Sequence, residues 1–376
     1  MIYFDNSATS YPKPWNVKQK IYEAMHLYSF NSGRGGYKAS LRAAEKIYSV
    51  REKIADMFCC DAENVAFTKN CTEALNIAIK GSVKKGSHIV ISSLEHNSVS
   101  RVIYKLFNDG IIDYSIAPFS FDKNETVKNF ESAITPETTL VVCTAASNAF
   151  GCLMPVREIG ALCRKRNIRF VVDAAQSAGI YPINMVKDNI DILCAPGHKS
   201  LMGPMGTGFI AFRVKTVLKT ITEGGTGSNS LSFIQPLALP DRYESGTLNN
   251  VGIIGLGAGI DYINNIGIDD MNYHEIKLIQ LLYEALSKID GVKLYTPFPE
   301  RDSSLPVLSF NKGKTSSEET ALMLSEKNIC TRAGYHCAPL AHEHFNTLDT
   351  GTVRVSLGWF NTQRECERFT NVLKLL

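Results

Sequence analysis

Between residues 65 and 214, short apolar runs alternate with runs of helical periodicity, and this alternation constrains the fold more than any other feature. Runs rich in Val, Ile and Phe without polar alternation are typical of strands buried on both faces. Strand–helix alternation indicates an α/β fold whose large domain has a mostly parallel seven-stranded sheet between helices. The predicted strands are residues 65–68, 88–92, 113–117, 139–144, 168–173, 191–194 and 208–212. The predicted helices are 17–28, 40–58, 72–80, 98–108, 127–133, 156–166 and 249–264.

After about residue 267 the pattern changes, because strands and helices no longer alternate regularly. We predict a large domain at 16–264 and a smaller α+β domain formed by 265–376 together with the N-terminal segment 1–15. The elements predicted outside the alternating region are a helix reaching 289, strands at 292–295, 306–310 and 352–359, helices starting at the capping boxes of Ser316 and Thr362, a polar turn at 31–36 and a Gly-, Ser- and Pro-rich loop at 223–239.

Charge and apolar content exclude several classes of partner. Forty basic and 37 acidic residues leave a net charge of +3, too small to favour a polyanion, so no nucleic-acid partner is expected. No apolar run approaches the length of a membrane span, and the first residues lack the basic and apolar regions of a secretory signal. We therefore expect a cytoplasmic protein without a membrane partner. Five cysteines in apolar surroundings are predicted to be buried thiols: Cys59, Cys143, Cys163, Cys194 and Cys366.

Lys199 lies in a tight loop after the strand at 191–194, just before a Gly-rich segment that starts at Gly203. A sharp turn of this kind leaves room for a flat or phosphorylated ligand. Burial can lower the pKa of a lysine enough to give the neutral amine that Schiff-base chemistry needs. An ordinary surface lysine is the alternative. The glycines have the order G-x-x-G-x-G, which is not the G-x-G-x-x-G order of dinucleotide-binding loops.

Other polar residues follow strands at the same predicted sheet edge. Thr72 begins a helix, whose free N–H groups and dipole can hold an anion. Asp173 ends a buried strand and needs a cationic partner, which a protonated pyridine nitrogen would supply. His96 could lie against an aromatic cofactor. Each residue alone could be a helix cap or a loop residue, but with Lys199 they indicate pyridoxal 5′-phosphate.

With these residues the chain resembles the class-V aminotransferase superfamily and, within it, the cysteine desulfurase/selenocysteine lyase family. The resemblance covers nearly the whole chain, and its specificity lies in the order of the motifs. These are Phe4-Asp5-Asn6-Ser7-Ala8-Thr9, Glu95-His96-Asn97, Asp173-Ala174-Ala175-Gln176, Gly197-His198-Lys199, Ser245-Gly246-Thr247, Arg332-Ala333-Gly334-Tyr335-His336-Cys337-Ala338 and Arg354-Val355-Ser356-Leu357.

The resemblance implies a fold type I enzyme in which Lys199 carries pyridoxal phosphate and later moves the α-proton of the substrate. Asp173 would pair with the ring nitrogen, Gln176 would donate to the ring 3-oxygen, and His96 would stack on the ring and exchange protons.

The resemblance also implies how the phosphate and the substrate are held. Thr72, the backbone at Cys71 and His198 would bind the phosphate, helped by Thr247 from the second subunit of a homodimer. Two further residues would contact the substrate: Asn148, near its carboxylate, and Arg354, gripping that carboxylate with its bidentate guanidinium.

Cys337 would be the nucleophile that takes sulfur from L-cysteine as a persulfide and leaves L-alanine. Its neighbours in sequence include His336 and Arg332, and cationic neighbours raise the thiolate fraction of a cysteine. A separate sulfur-acceptor protein is a possible partner.

Other functions remain open on the sequence. The chain could act on L-selenocysteine, could be an aminotransferase or lyase without persulfide chemistry, or could be a non-catalytic sulfur-relay or assembly subunit. A metal site formed by His336, Cys337, His342 and His344 is a weaker alternative, because their spacing matches no zinc pattern, and we expect no metal.

Overall fold

The computed structural model describes residues 1–33 and 35–376; Arg34, inside the predicted turn at 31–36, lies outside the described residues. The strands are β1 Ile2–Tyr3, β2 Val65–Thr68, β3 Ser87–Ser92, β4 Ile112–Ala117, β5 Thr138–Thr144, β6 Arg169–Asp173, β7 Ile192–Pro196, β8 Gly208–Phe212, β9 Val292–Leu294, β10 Val307–Lys312, β11 Ile329–Cys330, β12 Arg332–Gly334 and β13 Thr352–Ser356. The helices are α1 Trp15–Leu27, α2 Lys38–Phe58, α3 Cys71–Ser82, α4 Asn97–Asn108, α5 Lys123–Ala133, α6 Val156–Arg166, α7 Asn250–Ile266, α8 Ile268–Leu286, α9 Ser317–Glu326, α10 Pro339–His344 and α11 Gln363–Leu375.

Strands β2 to β8 form a seven-stranded sheet in the order β2-β8-β7-β6-β5-β3-β4. The five strands from β7 to β4 run parallel, and β8 is antiparallel to both of its neighbours. This confirms the predicted fold class. Sequence predicted every strand of this sheet, and all of them except the partly exposed edge strand β4 are buried along nearly their whole length.

Helices pack on both faces of this sheet. Along β5, Leu140 and Val142 point into the core layer under α3 and α4, whereas Val141 and Cys143 point into the layer under α2, α5, α6 and α7. This alternation follows from the two-residue period of a strand. The carboxyl ends of the parallel strands therefore meet at one uncovered edge, which is where α/β sheets place their ligand sites.

The C-terminal part contains an antiparallel sheet in the order β12-β13-β10-β9. The N-terminal strand β1 pairs in parallel with β11, with Ile2 opposite Ile329 and Tyr3 opposite Cys330. The first residues therefore pack beside the last third of the chain. Phe4, Phe310 and Phe369 lie in the same buried core with α8 and α11. The predicted division between residues 264 and 265 falls in the last turn of α7 and stays a prediction.

Several predicted ends differ from the structure. The strand predicted at 352–359 ends at Ser356, and the helix predicted to reach 289 ends at Leu286. The short elements β11, β12 and α10 were not predicted, because they are too short to show a hydrophobic period. At the two predicted capping boxes, Thr362 forms the full box with Glu365, and Ser316 caps its helix through its own hydroxyl.

Cys59 is exposed, so its prediction as a buried thiol was wrong. It ends α2 as a left-handed residue with φ of 60°, at a point where the chain turns back along the surface. Cys143, Cys163, Cys194 and Cys366 are buried as predicted.

Among the described residues, no single helix is long and apolar enough to cross a membrane; only α7 and α8 taken together meet the length and composition, and they are bent by 81°.

Candidate active site

Strands β6 and β7 lie side by side and end in the two residues around which the site is built. Asp173 is the last residue of β6 and pairs with Cys194 of β7. Strand β7 ends at Pro196, and Lys199 follows three residues later. Because these strands are parallel and adjacent, both side chains lie at the same sheet edge.

The loop that presents Lys199 closes on itself. The Gly203 amide donates to the Gly197 carbonyl at 2.8 Å, and the Met202 amide donates to the Lys199 carbonyl at 2.8 Å. A Cβ atom on residue 197 would lie 2.2 Å from Thr207 Oγ1, so only glycine fits there. The tight loop predicted from the glycines is therefore real, and close packing fixes the direction in which Lys199 projects.

Asp173 is a buried carboxyl group whose hydrogen-bond partners are both neutral. Its Oδ1 accepts from the Ala175 amide at 2.9 Å and from Cys71 Sγ at 3.4 Å. Burial raises the pKa of Asp173, and the Ala175 amide, the Lys199 charge and the Cys71 thiol only partly oppose this. A cation placed against this carboxylate would be strongly stabilised.

Lys199 meets the complementary condition. Burial lowers the pKa of its amine, while the nearby Asp173 and Cys71 raise it. The positive charges of Arg354 and Arg332 lower it further. A lysine whose ammonium form is destabilised in this way is suited to condense with a carbonyl compound.

The N-terminus of α3 lies beside these two residues and offers free backbone donors. Asn70 caps the helix by accepting from the Glu73 amide at 2.9 Å, and the N–H groups of Cys71 and Thr72 belong to the first turn, which has no intrahelical acceptors. The Cys71 side chain faces Asp173, so only its backbone can serve an anion at this helix end.

The other predicted phosphate ligands differ in their surroundings. His198 Nδ1 is buried and has no hydrogen-bond partner among the described residues. Burial, with the charges of Lys199 and Lys13, lowers the pKa of His198 to about 4, so the ring is neutral. Thr247 is exposed in the long segment between β8 and α7, and the structure gives it no contact with this cluster. Its predicted role depends on a second subunit.

His96 caps α4, and its hydrogen bond defines its tautomer. Its Nδ1 accepts from the Ser98 amide at 3.1 Å, which leaves the proton of the neutral ring on Nε2. Burial and the positive charges of Lys199, Arg332, Arg101 and Arg354 lower its pKa to about 4. The ring is therefore neutral near pH 7, and its Nε2–H can donate.

Gln176 is buried near the N-terminal segment, and its amide Nε2 donates to the Ser7 carbonyl at 3.2 Å.

Arg354 is buried, and two groups already hold its guanidinium. One nitrogen lies 2.5 Å from Asp5 Oδ1, and another donates to the Asn148 carbonyl at 2.9 Å. Its Nε and Asn148 Oδ1 have no partner among the described residues. The pair thus keeps polar atoms available to a ligand that brings both an acceptor and a donor.

Cys337 lies on the exposed side of the cluster. The nearest charged group is Arg332, whose Nη2 is 3.6 Å from Sγ. The Cys337 carbonyl accepts from the Asn97 amide at 2.7 Å, which ties the cysteine turn to the start of α4. A groove runs away from the thiol, lined by side chains that include Arg101, Tyr104, Ile116, Tyr335, Leu340 and Leu348.

Two acidic residues of the cluster were missing from the predicted site. Asp5 accepts a hydrogen bond from Arg354. Its position in the N-terminal motif Phe4-Asp5-Asn6-Ser7-Ala8-Thr9 was the sequence feature that could have identified it as a site residue. Glu95 is fully buried behind His96; its Oε1 accepts from Ser92 Oγ at 2.5 Å and from the Thr144 amide at 2.7 Å. Burial raises the pKa of Glu95 to about 8, which makes it a neutral acid at pH 7.

These residues fit a cofactor with an aldehyde, a protonatable ring nitrogen and a phosphate. Lys199 supplies the amine, and Asp173 supplies a buried carboxylate without a cationic hydrogen-bond partner. The first turn of α3 and the orphaned His198 Nδ1 supply groups for an anion. Pyridoxal phosphate has all three features.

Of the three histidines considered as metal ligands, His336 and His342 are hydrogen-bonded to each other, and His344 contacts Ser93. His336 Nδ1 lies 3.2 Å from His342 Nε2. Across the described part of the chain, no group of three or more His, Cys, Asp or Glu side chains is arranged to hold a metal ion.

Comparison with known proteins gives one consistent result. The model of the aminotransferase class-V family matches residues 2–369. A probable cysteine desulfurase from Methanothermobacter thermautotrophicus is 34% identical over 99% of this chain and 94% of its own length. A probable cysteine desulfurase from Pyrococcus abyssi is 34% identical over 100% and 94%. The apo structure of a cysteine desulfurase from Thermococcus onnurineus NA1 superposes with a TM-score of 0.93 at 32% identity, covering 100% of this chain and 94% of that one.

Proposed function

The chain belongs to the class-V aminotransferase family, and we propose that it is a pyridoxal-phosphate-dependent cysteine desulfurase that converts L-cysteine to L-alanine and keeps the sulfur on Cys337 as a persulfide. The observation that carries this proposal is the position of the Cys337 thiol. The thiol is exposed, and its Sγ lies 3.6 Å from Arg332 Nη2. The charge of Arg332 also lowers the pKa of Lys199, so Arg332 lies near both residues. An incidental cysteine would have no reason to lie at the open side of such a site.

When bound, pyridoxal phosphate condenses with amines and withdraws electrons from the carbon atoms next to the nitrogen. Lys199 would hold it through its amine, Asp173 would keep the ring nitrogen protonated, and Gln176 would donate to the ring 3-oxygen. His96 would cover one face of the ring. Lys199, once free of the cofactor, moves the proton at the substrate Cα.

Cys337 Sγ then attacks the sulfur of the activated substrate. A sulfur–sulfur bond forms as the carbon–sulfur bond breaks, and the electron pair stays on the substrate carbon, where a proton completes the methyl group of alanine. The attacking Sγ lies 3.6 Å from Arg332 Nη2. Removal of the persulfide sulfur needs a second thiol from an acceptor.

We expect the Cys337→Ala variant to lose L-alanine release from L-cysteine by at least about 100-fold, because Cys337 is the exposed thiol of the site and the Cys71 thiol is buried against Asp173. The measurement is alanine formation by the holoenzyme, with mass spectrometry of the wild-type cysteine after substrate addition. Cys330→Ala is the matched control, since Cys330 is a nearby, partly exposed thiol on β11. Wild-type alanine release by the Cys337→Ala variant would remove Cys337 from the mechanism.

We expect the Arg354→Lys variant to raise the KM for L-cysteine about tenfold or more, because a lysine cannot hold Asp5, the Asn148 carbonyl and a substrate carboxylate together. Substrate titration of the holoenzyme measures this. The cofactor absorbance should be unchanged, since Arg354 is proposed to hold substrate and not cofactor. An unchanged KM would show that the substrate carboxylate binds elsewhere.

Selenocysteine turnover is the main alternative on the same scaffold. A selenol leaves more readily than a thiol, so a selenocysteine lyase would keep activity in the Cys337→Ala variant with L-selenocysteine as substrate. An aminotransferase or lyase without persulfide chemistry would convert the cofactor to its amine form and leave Cys337 unmodified. A non-catalytic sulfur-relay or assembly subunit would not bind the cofactor at Lys199.

We also propose a homodimer and a separate sulfur acceptor. The segment between β8 and α7 carries Thr247 and exposes large apolar side chains, among them Leu231, Phe233 and Ile234, which a second copy would cover. The groove beside Cys337 would admit an acceptor thiol. A cytoplasmic location is part of this proposal, because persulfide chemistry needs a thiol kept reduced.

A further inference from the structure

The turn that carries Cys337 holds two consecutive residues in the left-handed region. φ is +51° at His336 and +56° at Cys337, and the Ala338 amide closes the turn by donating to the Tyr335 carbonyl at 2.9 Å. Two positive φ values at the centre of a tight turn favour glycine or asparagine, and a non-glycine residue costs about 1–3 kcal/mol at such a position. Contacts from elsewhere in the fold must therefore hold this turn.

Two of these contacts reach the turn's backbone. The Asn148 side-chain amide donates to the His336 carbonyl at 2.6 Å. The Asn97 backbone amide donates to the Cys337 carbonyl at 2.7 Å. Asn97 begins α4 and Asn148 lies in the segment after β5, so both donors fix the turn relative to the large sheet.

A third set of contacts holds the turn through the His336 side chain. The buried ring lies nearly parallel to the buried ring of His342, with an interplanar angle of 14°, and its Nδ1 lies 3.2 Å from His342 Nε2. At its other end, His336 Nε2 lies 3.3 Å from the Arg332 carbonyl. His342 Nδ1 lies 2.8 Å from the Thr347 hydroxyl. The chain of hydrogen bonds runs from Thr347 on one side to the Arg332 backbone on the other.

With both rings neutral, hydrogen-bond chemistry permits one arrangement of protons along this chain. The Arg332 carbonyl can only accept, so His336 Nε2 carries a proton and donates. The His336 Nδ1 of a neutral ring must then accept, which places the donated proton on His342 Nε2. His342 Nδ1 in turn accepts from the Thr347 hydroxyl. In this arrangement every donor of the chain faces an acceptor.

The surroundings keep both rings neutral. Burial, with the positive charge of Arg354, lowers the pKa of His336 to about 2; Arg332 and His342 act in the same direction, although the hydrogen bond to the Arg332 carbonyl opposes them. Burial also lowers the pKa of His342 to about 4. The chain of bonds is therefore intact at neutral pH.

We propose that His336, His342 and Thr347 form a histidine relay that positions the Cys337 sulfur for attack, an inference that rests on the proposed desulfurase function. The relay residues are positioning residues, since none of them touches the reacting atoms. Their effect is to hold a turn that its own residues disfavour. A displacement of the nucleophile by about 1 Å can reduce a rate by up to about 100-fold, so small losses of order at this turn have a large kinetic effect.

Two substitutions of His342 separate the relay from general packing. The amide nitrogen of His342→Gln can occupy the position of Nε2 and donate to His336 Nδ1, whereas the shorter His342→Asn can reach only toward Thr347. We expect single-turnover persulfide formation on Cys337 to fall about tenfold in His342→Asn and to stay within about threefold of wild type in His342→Gln.

Two measurements on the same holoenzyme distinguish positioning from a structural defect. The absorbance change on addition of L-cysteine reports substrate binding at the cofactor. We expect the rate of this change and its dependence on L-cysteine concentration to be the same in both variants as in wild type. Persulfide on Cys337, followed by mass spectrometry, should slow only in His342→Asn. His344→Asn is the matched control, because His344 lies on the same helix and contacts Ser93 and Phe119 instead of the relay.

The outcomes also separate this inference from the proposed function. If Cys337→Ser forms alanine at the wild-type rate, the desulfurase function fails whatever the relay does. If Cys337→Ser is inactive but His342→Asn forms persulfide as fast as wild type, the relay is wrong and the function stands. Equal losses of persulfide formation in His342→Gln and His342→Asn would also overturn the relay. So would a variant that loses both the absorbance change and persulfide formation. Should His342→Asn not fold, a comparison of Thr347→Val with Thr347→Ser tests the relay. Valine removes only the hydroxyl that orients His342 and should slow persulfide formation, whereas serine keeps that hydroxyl and should not.

Discussion

Replacing Lys199 with alanine is expected to lower L-cysteine turnover by about 10⁴-fold, the largest effect of any single substitution in this chain. The variant loses both the amine that holds the cofactor and the group that moves the substrate α-proton. Alanine release by the purified protein measures the loss of turnover. Borohydride treatment followed by peptide mapping measures the loss of the cofactor link, because reduction fixes the cofactor to Lys199 in wild type and to no lysine in the variant.

Lys13 provides a matched control for this experiment. It is also a lysine beside the loop, and it is half-buried: its Nζ donates to the His198 carbonyl at 2.6 Å, and burial lowers its pKa to about 8. If a low pKa alone selected the reactive amine, borohydride would also label Lys13. We expect the Lys13→Ala variant to be labelled at Lys199 as in wild type. A label on Lys13 in the wild-type protein would contradict the assignment of Lys199.

The Asp173→Asn variant is expected to lose turnover by about 10²–10³-fold, because removing one partner of a buried charge pair costs about 3–5 kcal/mol. Asparagine keeps the shape of the side chain but cannot hold a proton on the ring nitrogen. The measurement is kcat together with a pH titration of the cofactor absorbance. Turnover within about threefold of wild type would show that the ring nitrogen has another partner.

The same substitution has an opposite effect on the protein without cofactor. The pKa of Asp173 lies above its ordinary value in the folded protein, so the folded state keeps this proton at pH values where the unfolded state has lost it. Stability of the apoprotein therefore falls as pH rises above the ordinary aspartate pKa. Asp173→Asn removes this dependence and should raise apoprotein stability at pH 7, as measured by denaturant unfolding.

Asp188→Asn serves as a control for both effects. Asp188 is a buried aspartate in the segment between β6 and β7, and it pairs with Arg157 of α6 at 2.9 Å. Its removal should destabilise the apoprotein and leave kcat unchanged. A gain in apoprotein stability from Asp188→Asn as well would point to a general effect of removing charge.

Sequence reasoning worked best where one local pattern repeats over many residues. Apart from the partly exposed edge strand β4, the strands of the large sheet are buried along nearly their whole length because helices cover both faces, and turn residues mark their ends. Asp173 and Lys199 were identified because adjacent parallel strands bring their carboxyl ends together. Strand β11 and helix α10 were missed because they contain two and six residues, fewer than a periodic pattern needs.

The directions of individual side chains could not be predicted from the sequence. The backbone of Cys71 was expected to bind the phosphate, and the direction of its thiol, toward Asp173 at 102 positions away, was not predicted. Asp5 was part of a motif without an assigned role, and the fold places it on Arg354, 349 positions further along the chain. The energy of such pairs depends on distance and burial, which only the assembled fold defines.

The hydrophobic period and the order of motifs along the chain were enough to predict the fold class and the family, because both are local properties; the chemistry assigned to Lys199 stays a prediction. The tertiary structure alone decided that the Cys337 turn is left-handed at two successive residues and that His342 and Thr347 support it. The physical reason is that a disfavoured backbone conformation persists only when contacts from distant segments outweigh its cost.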